Sequence, residues 1–312
     1  MPLTPSLRKE ETALEGALAK AWRVRQANFP PVLCASYPLD TAVISLTGTG
    51  CALDCAHCGR HYLEHMIPVG EALARVQGAQ SCLISGGCDA RGRVPVAGPH
   101  LEILQRLRPG RRMNWHVGLI GEEEADLIAP LVDVVSFDFV GDDATIREVY
   151  GLEATVEDYR RAYQVLRRRF RVVPHVTVGL RGGRLGHEVP ALEMLARMGA
   201  EELVLLVLIP TPGTRYASCE PPSPEEAAGI FVRARELLPR AWISLGCMRP
   251  HGAYRDAVDV LAVQAGLNGI VSPSHPALEE AERRGLRIVR TRECCVFDPP
   301  ANGLGKAASR SG

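Results

Sequence analysis

Cys51, Cys55 and Cys58 lie within eight residues of one another, in Gly48-Thr49-Gly50-Cys51-Ala52-Leu53-Asp54-Cys55-Ala56-His57-Cys58. Three thiolates at this C-x3-C-x2-C spacing, on a glycine-led loop, suit three irons of a [4Fe–4S] cube and leave the fourth iron open. An open iron takes a small chelating molecule through an amine and a carboxylate. The plainer alternative is a zinc loop. His61 or His65 would then supply the fourth ligand, and the paired C-x2-C knuckles usual for structural zinc are missing.

Seven further cysteines are Cys34, Cys82, Cys88, Cys219, Cys247, Cys294 and Cys295. Cys82 falls inside a strand pattern and reads as a small core residue, while Cys34 and Cys219 fall in loops. Cys88 follows Ser85-Gly86-Gly87, Cys247 ends a strand pattern, and Cys294-Cys295 follow the segment 286–290, which can return the tail to the Cys51 face. These four are candidate metal ligands of a second cluster. Adjacent residues of a regular strand face opposite sides, so Cys294 and Cys295 share one cluster only on irregular backbone. Otherwise Arg249, Ser85 or another side chain completes the set.

The chain has 312 residues, 36 basic and 36 acidic, and a formal net charge of zero. That balance gives no reason to expect a nucleic-acid groove or a polybasic membrane anchor. No apolar run reaches the roughly 20 residues of a membrane span, and the charged start lacks a secretory apolar core. The reading is a cytoplasmic protein, where clustered cysteines more often bind metal than form disulfides.

The elements that must position these residues alternate. Strand patterns fall at 42–47, 81–85, 114–119, 134–139, 172–180, 203–209, 242–246 and 269–271. Helical periodicity fills 101–107, 122–131, 156–168, 189–198, 224–238, 255–265 and 276–284, with an earlier helix at 8–27. Eight strand–helix repeats in about 250 residues predict an α/β fold, a (β/α)8 TIM-type barrel, over an open doubly wound sheet. The domain reading is an N-terminal helical extension (1–38), the barrel (39–285), and a C-terminal segment with Cys294, Cys295 and a mobile tail (286–312). Loops after barrel strands form the catalytic face, which is where the cysteine loop falls. His116, Asp138 and His175, near the ends of strands three to five, are candidate contacts to cofactor or substrate. A satisfied buried polar residue is the bland alternative for each.

The cysteine loop after the first strand resembles that of the radical S-adenosylmethionine (SAM) superfamily, with His57 where an aromatic residue usually precedes the third cysteine. Ser85-Gly86-Gly87 looks like the family's glycine motif, whose backbone meets the methionine amino group. The run through Gly179 to Glu188 is similar to the motif that packs the adenine, with a stretched spacing to the glutamate. Ile209-Pro210 is similar to the adenine-side loop of the biotin synthase branch. Over 38–297 the chain resembles archaeal-type biotin synthase homologues. Within them, the signature of 44–66, with 85–93, 246–254 and 293–295, is closest to one subunit of a two-component lipoyl synthase.

The resemblance implies that Cys51, Cys55 and Cys58 are catalytic, holding a reducing [4Fe–4S] cluster that binds SAM, and that a second [4Fe–4S] cluster is present. A low-potential electron donor would trigger SAM cleavage to a 5′-deoxyadenosyl radical. That radical would take hydrogen from an octanoyl chain, and a sulfide of the sacrificial auxiliary cluster would capture the carbon radical. The implied partners are an octanoylated lipoyl carrier protein or domain and a companion radical SAM subunit. The arginines Arg160, Arg161, Arg167, Arg168 and Arg169 either meet an acidic carrier or form a solvated helix face. Two alternatives stay open: a radical SAM enzyme of the biotin synthase branch with another substrate, and a non-catalytic Fe–S or zinc protein.

Overall fold

The computed structural model describes residues 5–297, with side chains from residue 12 onward. Eleven strands form one parallel sheet: β1 (Val32–Ser36), β2 (Thr41–Ser45), β3 (Ile67–Pro68), β4 (Ser81–Ser85), β5 (Arg112–His116), β6 (Val134–Asp138), β7 (Val172–Val178), β8 (Glu202–Val207), β9 (Trp242–Leu245), β10 (Gly269–Val271) and β11 (Arg287–Thr291). Their order is β11-β1-β10-β9-β8-β7-β6-β5-β4-β2-β3. The eight expected strands all form, as β2 and β4 to β10, and stand side by side in chain order. This is the curled parallel sheet of a TIM-type barrel, its strands linked by crossover helices.

The helices are α1 (Pro5–Asn28), α2 (Ala72–Arg75), α3 (His100–Leu107), α4 (Glu122–Ile128), α5 (Asp143–Thr145), α6 (Val156–Arg167), α7 (Glu188–Arg197), α8 (Pro224–Leu237), α9 (Ala253–Gln264) and α10 (His275–Arg283). Helix α8 starts as its sequence dictates. Ser223 accepts the Glu226 N–H at 3.1 Å, Glu226 accepts the Ser223 N–H at 2.8 Å, and Pro224 fills the first position. A π-turn, Ile146–Tyr150, follows α5.

The flanks differ from the expected division. The segment expected as a helical extension also supplies β1, which lies between β10 and β11 and is buried throughout. Four apolar residues and Ser36, all buried, make a fully covered parallel strand, which shows no alternation. The C-terminal segment supplies β11, and the expected mobile tail at 301–312 lies outside the described residues.

Among the described residues no ladder joins the two edge strands, β11 and β3. Past the β1–β11 ladder the Tyr37 N–H donates to the Thr291 carbonyl at 2.9 Å and the Asp40 N–H to the Arg292 carbonyl at 2.8 Å, which forms a seam between the end of β11 and the start of β2. Strands β1 and β11 therefore finish where β2 begins. Curling a tilted parallel sheet produces this stagger. It carries the chain after β11 to the starts of β2, β4 and β5, the end of the bore opposite the Cys51 loop.

Candidate active site

The cysteine loop is tied down by three other loops through its backbone. The Ala52 N–H donates to the Cys88 carbonyl at 2.8 Å, the Ala56 N–H to the Val149 carbonyl at 2.7 Å, and the Tyr216 N–H to the Ala56 carbonyl at 3.0 Å. Arg215 adds a bond to the Asp54 carbonyl at 3.1 Å. Glu148 braces the surrounding loops by accepting from Arg181 at 2.6 Å, Arg184 at 2.7 Å and the Tyr216 hydroxyl at 3.0 Å. Burial pushes the Glu148 carboxyl up, but the bonds from Arg181 and Tyr216 outweigh it and hold it below the usual range.

The glycine turn after β4 is shaped by this loop. A Cβ on Gly87 would lie 2.0 Å from the Gly50 carbonyl oxygen and 2.5 Å from the Cys51 Cβ. The Gly87 N–H donates to Thr47 Oγ1 at 2.7 Å, and the Ser85 hydroxyl to the His116 carbonyl at 2.9 Å. The Cys88 N–H points at Cys51 Sγ, 3.3 Å away. Close backbone approach thus explains glycine here without reference to a ligand.

The electrostatics of the loop favour a cationic centre. Burial, then Cys58, Cys51 and Cys88, push the Cys55 thiol up to about 12. Burial also raises Cys58. Crowded thiols in a sheltered loop resist ionisation until a metal compensates the charge. Among the described residues no three His, Cys, Asp or Glu side chains converge to hold a single metal ion. His57 stands edge-on to Tyr150 at 5.6 Å, and its buried Nδ1 has no hydrogen-bond partner. Burial pulls the His57 ring down to about 4, so it is neutral. Three thiols, a backbone cradle and an unsatisfied nitrogen fit a three-cysteine cluster with a small ligand beside it.

Further into the bore, His116 Nε2 lies 3.2 Å from Asp138 Oδ2, and the His116 and His175 rings stack with centroids 6.3 Å apart. Asp138 and His175 are register partners on β6 and β7. Burial raises Asp138, but His116, His175 and His57 outweigh it and hold the carboxyl at about 2. Burial pulls His175 down to about 4, and its Nδ1–H donates to the Val173 carbonyl at 3.0 Å. Burial lowers His116 too, yet Asp138 leaves it above its ordinary value. An anion flanked by imidazoles therefore lines the wall.

The candidate second-cluster cysteines divide. Burial pushes the Cys88 thiol up to about 12, with Cys51, Asp89, Asp138 and Cys58 as its charged neighbours, so it belongs beside the first loop. Cys247 is exposed, two residues past the end of β9. Cys294 does not return to the Cys51 face. Its N–H donates to Thr41 Oγ1 at 2.9 Å at the start of β2, and its sulfur lies 3.9 Å from Asn114 Nδ2. The seam stagger is the reason. Cys295 opens a 3-10 turn, Cys295–Phe297, so the backbone there is irregular, and it packs with Val134, Val173, Val204 and Val271. Arg249 is buried and committed elsewhere, to Asp259 at 2.5 and 2.9 Å and to the Gly246 and Val271 carbonyls.

The two adenine-side segments are structurally defined. Both Glu188 oxygens are occupied, accepting the Gly179 N–H at 2.7 Å and the Gly186 N–H at 2.6 Å. Gly179 has φ +71°, and a Cβ there would meet Pro222 Cδ at 2.5 Å. The Ile209 carbonyl accepts from Thr211 Oγ1, which also lies 3.1 Å from the Tyr62 hydroxyl, joining the Ile209-Pro210 loop to the cysteine loop. Of the five helix arginines, Arg160 pairs with Glu157, Arg168 with Glu122 and Arg169 with Asp126, while Arg167 binds the Met198 and Gly199 carbonyls. Sequence reasoning missed Thr47, Tyr62, Glu148, Tyr150 and Arg215, which act through contacts distant in the chain and leave no local pattern.

A three-cysteine loop after the first barrel strand, with a glycine turn pressed against it, is the arrangement that the resemblance to the radical SAM superfamily implies, and the comparisons with known proteins agree with it. The chain is 25% identical over 319 residues to a biotin synthase of Halorhodospira halophila (strain DSM 244 / SL1), covering 93% of this chain and 94% of that one. No family model matches. The fold is shared with methylornithine synthase (PylB), at TM-score 0.63 and 15% identity over 89% of each chain. It is also shared with the FeFe-hydrogenase maturase HydG from Carboxydothermus hydrogenoformans, at TM-score 0.61 and 13% identity over 87% of this chain and 71% of that one. No described helix is long and apolar enough to cross a membrane.

Proposed function

We propose that this enzyme inserts sulfur into an unactivated C–H bond of a protein-bound octanoyl chain, as one component of a lipoyl synthase. The observation that supports the proposal is that the chain after β11 brings Cys294, 3.9 Å from Asn114 Nδ2, and Cys295, packed with Val134, Val173, Val204 and Val271, into the bore at a place separate from the Cys51 loop. When bound, a [4Fe–4S] cluster with SAM supplies one-electron cleavage of the sulfonium, and an auxiliary cluster supplies sulfide.

The chain's own residues do the rest. Cys51, Cys55 and Cys58 hold the first cluster, while Thr47, Gly87 and the backbone of Cys88 fix the loop. His57, Gly86, Gly179, Ile209 and Pro210 border the SAM site. Cys247, Cys294 and Cys295 hold the second cluster, with Cys88 the fourth candidate and lying nearer the first. Val134, Val173, Val204 and Val271 are covered by Cys295, Val296 and Phe297, so that end of the bore is dry and apolar. His116 and Asp138 offer a hydrogen-bonding pair to whatever polar group enters beside the octanoyl chain. An octanoylated lipoyl carrier, a companion radical SAM subunit and a low-potential reductant are the partners this reaction requires. Because four of the five helix arginines are engaged within the chain, the α6 face is not the proposed carrier-docking surface.

The test is anaerobic incubation of the reconstituted enzyme with SAM, dithionite and an octanoyl-lysine carrier peptide, followed by mass spectrometry. A mercapto-octanoyl peptide is the expected product. SAM cleavage without any sulfurated peptide rejects the lipoyl assignment. The whole-length likeness to a biotin synthase would then favour the second reading, a radical SAM reaction on another substrate.

A further inference from the structure

The Cys294 segment is fastened at the lower end of the bore by side chains that take no part in the Cys51 site. Arg112, the first residue of β5, grips Glu293 through Nε and Oε1 at 3.1 Å and through Nη2 and Oε2, and its guanidinium lies 4.5 Å over the Phe297 ring. Arg292 holds Asp40, which immediately precedes β2, through two bonds of 2.9 Å. Glu293 and Asp40 are sheltered, each with its side chain 16% exposed. Arg292 and Glu293 directly precede Cys294, and strand pairing ends at Thr291. Beyond that residue these two ion pairs hold the segment together with the Asp40 N–H bond to the Arg292 carbonyl, the Cys294 N–H bond to Thr41, the Asn114 contact to Cys294 Sγ, and the packing of Val296 and Phe297. A cavity of about 450 Å³ opens between the pairs, with Cys294 in its wall.

We propose that Asp40 and Arg112 are positioning residues for Cys294: the two ion pairs set how far the Cys294–Phe297 turn reaches into the bore, and so where the second cluster sits. The last clause rests on the proposed function; the placement of Cys294 does not. Each pair is bidentate, the geometry in which a partly exposed pair has a measurable effect, and each is screened by salt. Loss of either one lets the segment open locally while the barrel stays folded.

The experiment uses full-length, cluster-free protein under anaerobic conditions. Iodoacetamide labelling of each cysteine is followed by peptide mass spectrometry. Arg112→Gln and Asp40→Asn each raise the Cys294 rate about tenfold and leave Cys82 unchanged. The double change Asp40→Arg with Arg292→Asp returns the rate toward wild type, which a merely structural loss would not do. In the wild type, salt of about 1 M, where the screening length is about 3 Å, raises the Cys294 rate without any mutation, so the test does not depend on a variant folding. After reconstitution, the single variants lose iron toward about four per chain while still cleaving SAM. Cys294 rates unmoved by salt and by both variants, or a charge swap that restores nothing, overturn the proposal. Iron content of Cys294→Ser tests the cluster reading separately. Full iron there with the labelling shifts intact removes the cluster assignment and leaves the clasp standing.

Discussion

Gly87→Ala tests whether the glycine turn is the template of the cysteine loop. The added methyl carbon would sit 2.0 Å from the Gly50 carbonyl oxygen, 2.5 Å from Cys51 Cβ and 2.7 Å from Cys51 Cα. Two of the three atoms are backbone, and the third is the first atom of a cluster ligand, so no flexible side chain can swing aside. Cβ contacts under 3.0 Å essentially do not occur, and relief requires the Gly50–Cys51 backbone or the turn to retreat by about 1 Å. A displacement of that size at a catalytic constellation costs on the order of 100-fold in rate. The assay is iron per chain after anaerobic reconstitution, together with 5′-deoxyadenosine formed from SAM and dithionite. The expected result is a loss of SAM cleavage of about 100-fold, with the first cluster labile or missing. Gly229→Ala is the matched control. It lies in α8 with nothing within 4 Å of the new carbon, and is expected to stabilise by about 0.4–1 kcal/mol with activity unchanged. Wild-type iron and SAM cleavage in Gly87→Ala would refute the template argument.

Thr47→Val removes the acceptor of the Gly87 N–H and costs about 1–2 kcal/mol locally; first-cluster iron should be lost faster to a chelator, and Thr47→Ser should retain it. Arg249→Met leaves Asp259 as an uncompensated buried charge, and urea unfolding should show a loss of about 3–5 kcal/mol. His57 and His175 are held neutral down to about pH 4, whereas the unfolded chain takes up their protons below about 6.5. The stability they provide is therefore complete above about pH 6.5 and falls as the pH drops toward 4, by at most about 3 kcal/mol each and less where the bore admits water. His175→Phe should flatten that slope in urea titrations of the cluster-free protein at neutral and mildly acidic pH.

Much of the framework was legible because its signals are local. Eight short β-branched runs alternating with amphipathic ones specify parallel strands and crossover helices, and all eight strands stand in the expected order. The cysteine loop was legible because three thiols at close spacing form a metal-binding pattern that can be read without the fold. The rest lay in long-range geometry. Val32–Ser36 gave no strand pattern, since a strand covered on both faces does not alternate. The seam stagger, which sends Cys294 to the start of β2 and not to the Cys51 loop, depends on the tilt of the whole sheet. Gly87 was recognisable as a close-approach glycine, but the surface it approaches, Gly50 and Cys51, emerged only from the fold. Glu188 likewise stood out by position, while its work of clasping the N–H groups of Gly179 and Gly186 did not.

Iron and sulfide content, read with spectroscopy on the wild type and on the Cys51→Ala/Cys55→Ala/Cys58→Ala protein, tests the radical enzyme most directly. A SAM-binding cluster on that loop, with a second one in the bore, gives about eight irons in the wild type and about four in the triple variant, with 5′-deoxyadenosine formation abolished. Wild-type protein that takes up no iron, or a triple variant that keeps its iron and still cleaves SAM, would contradict it.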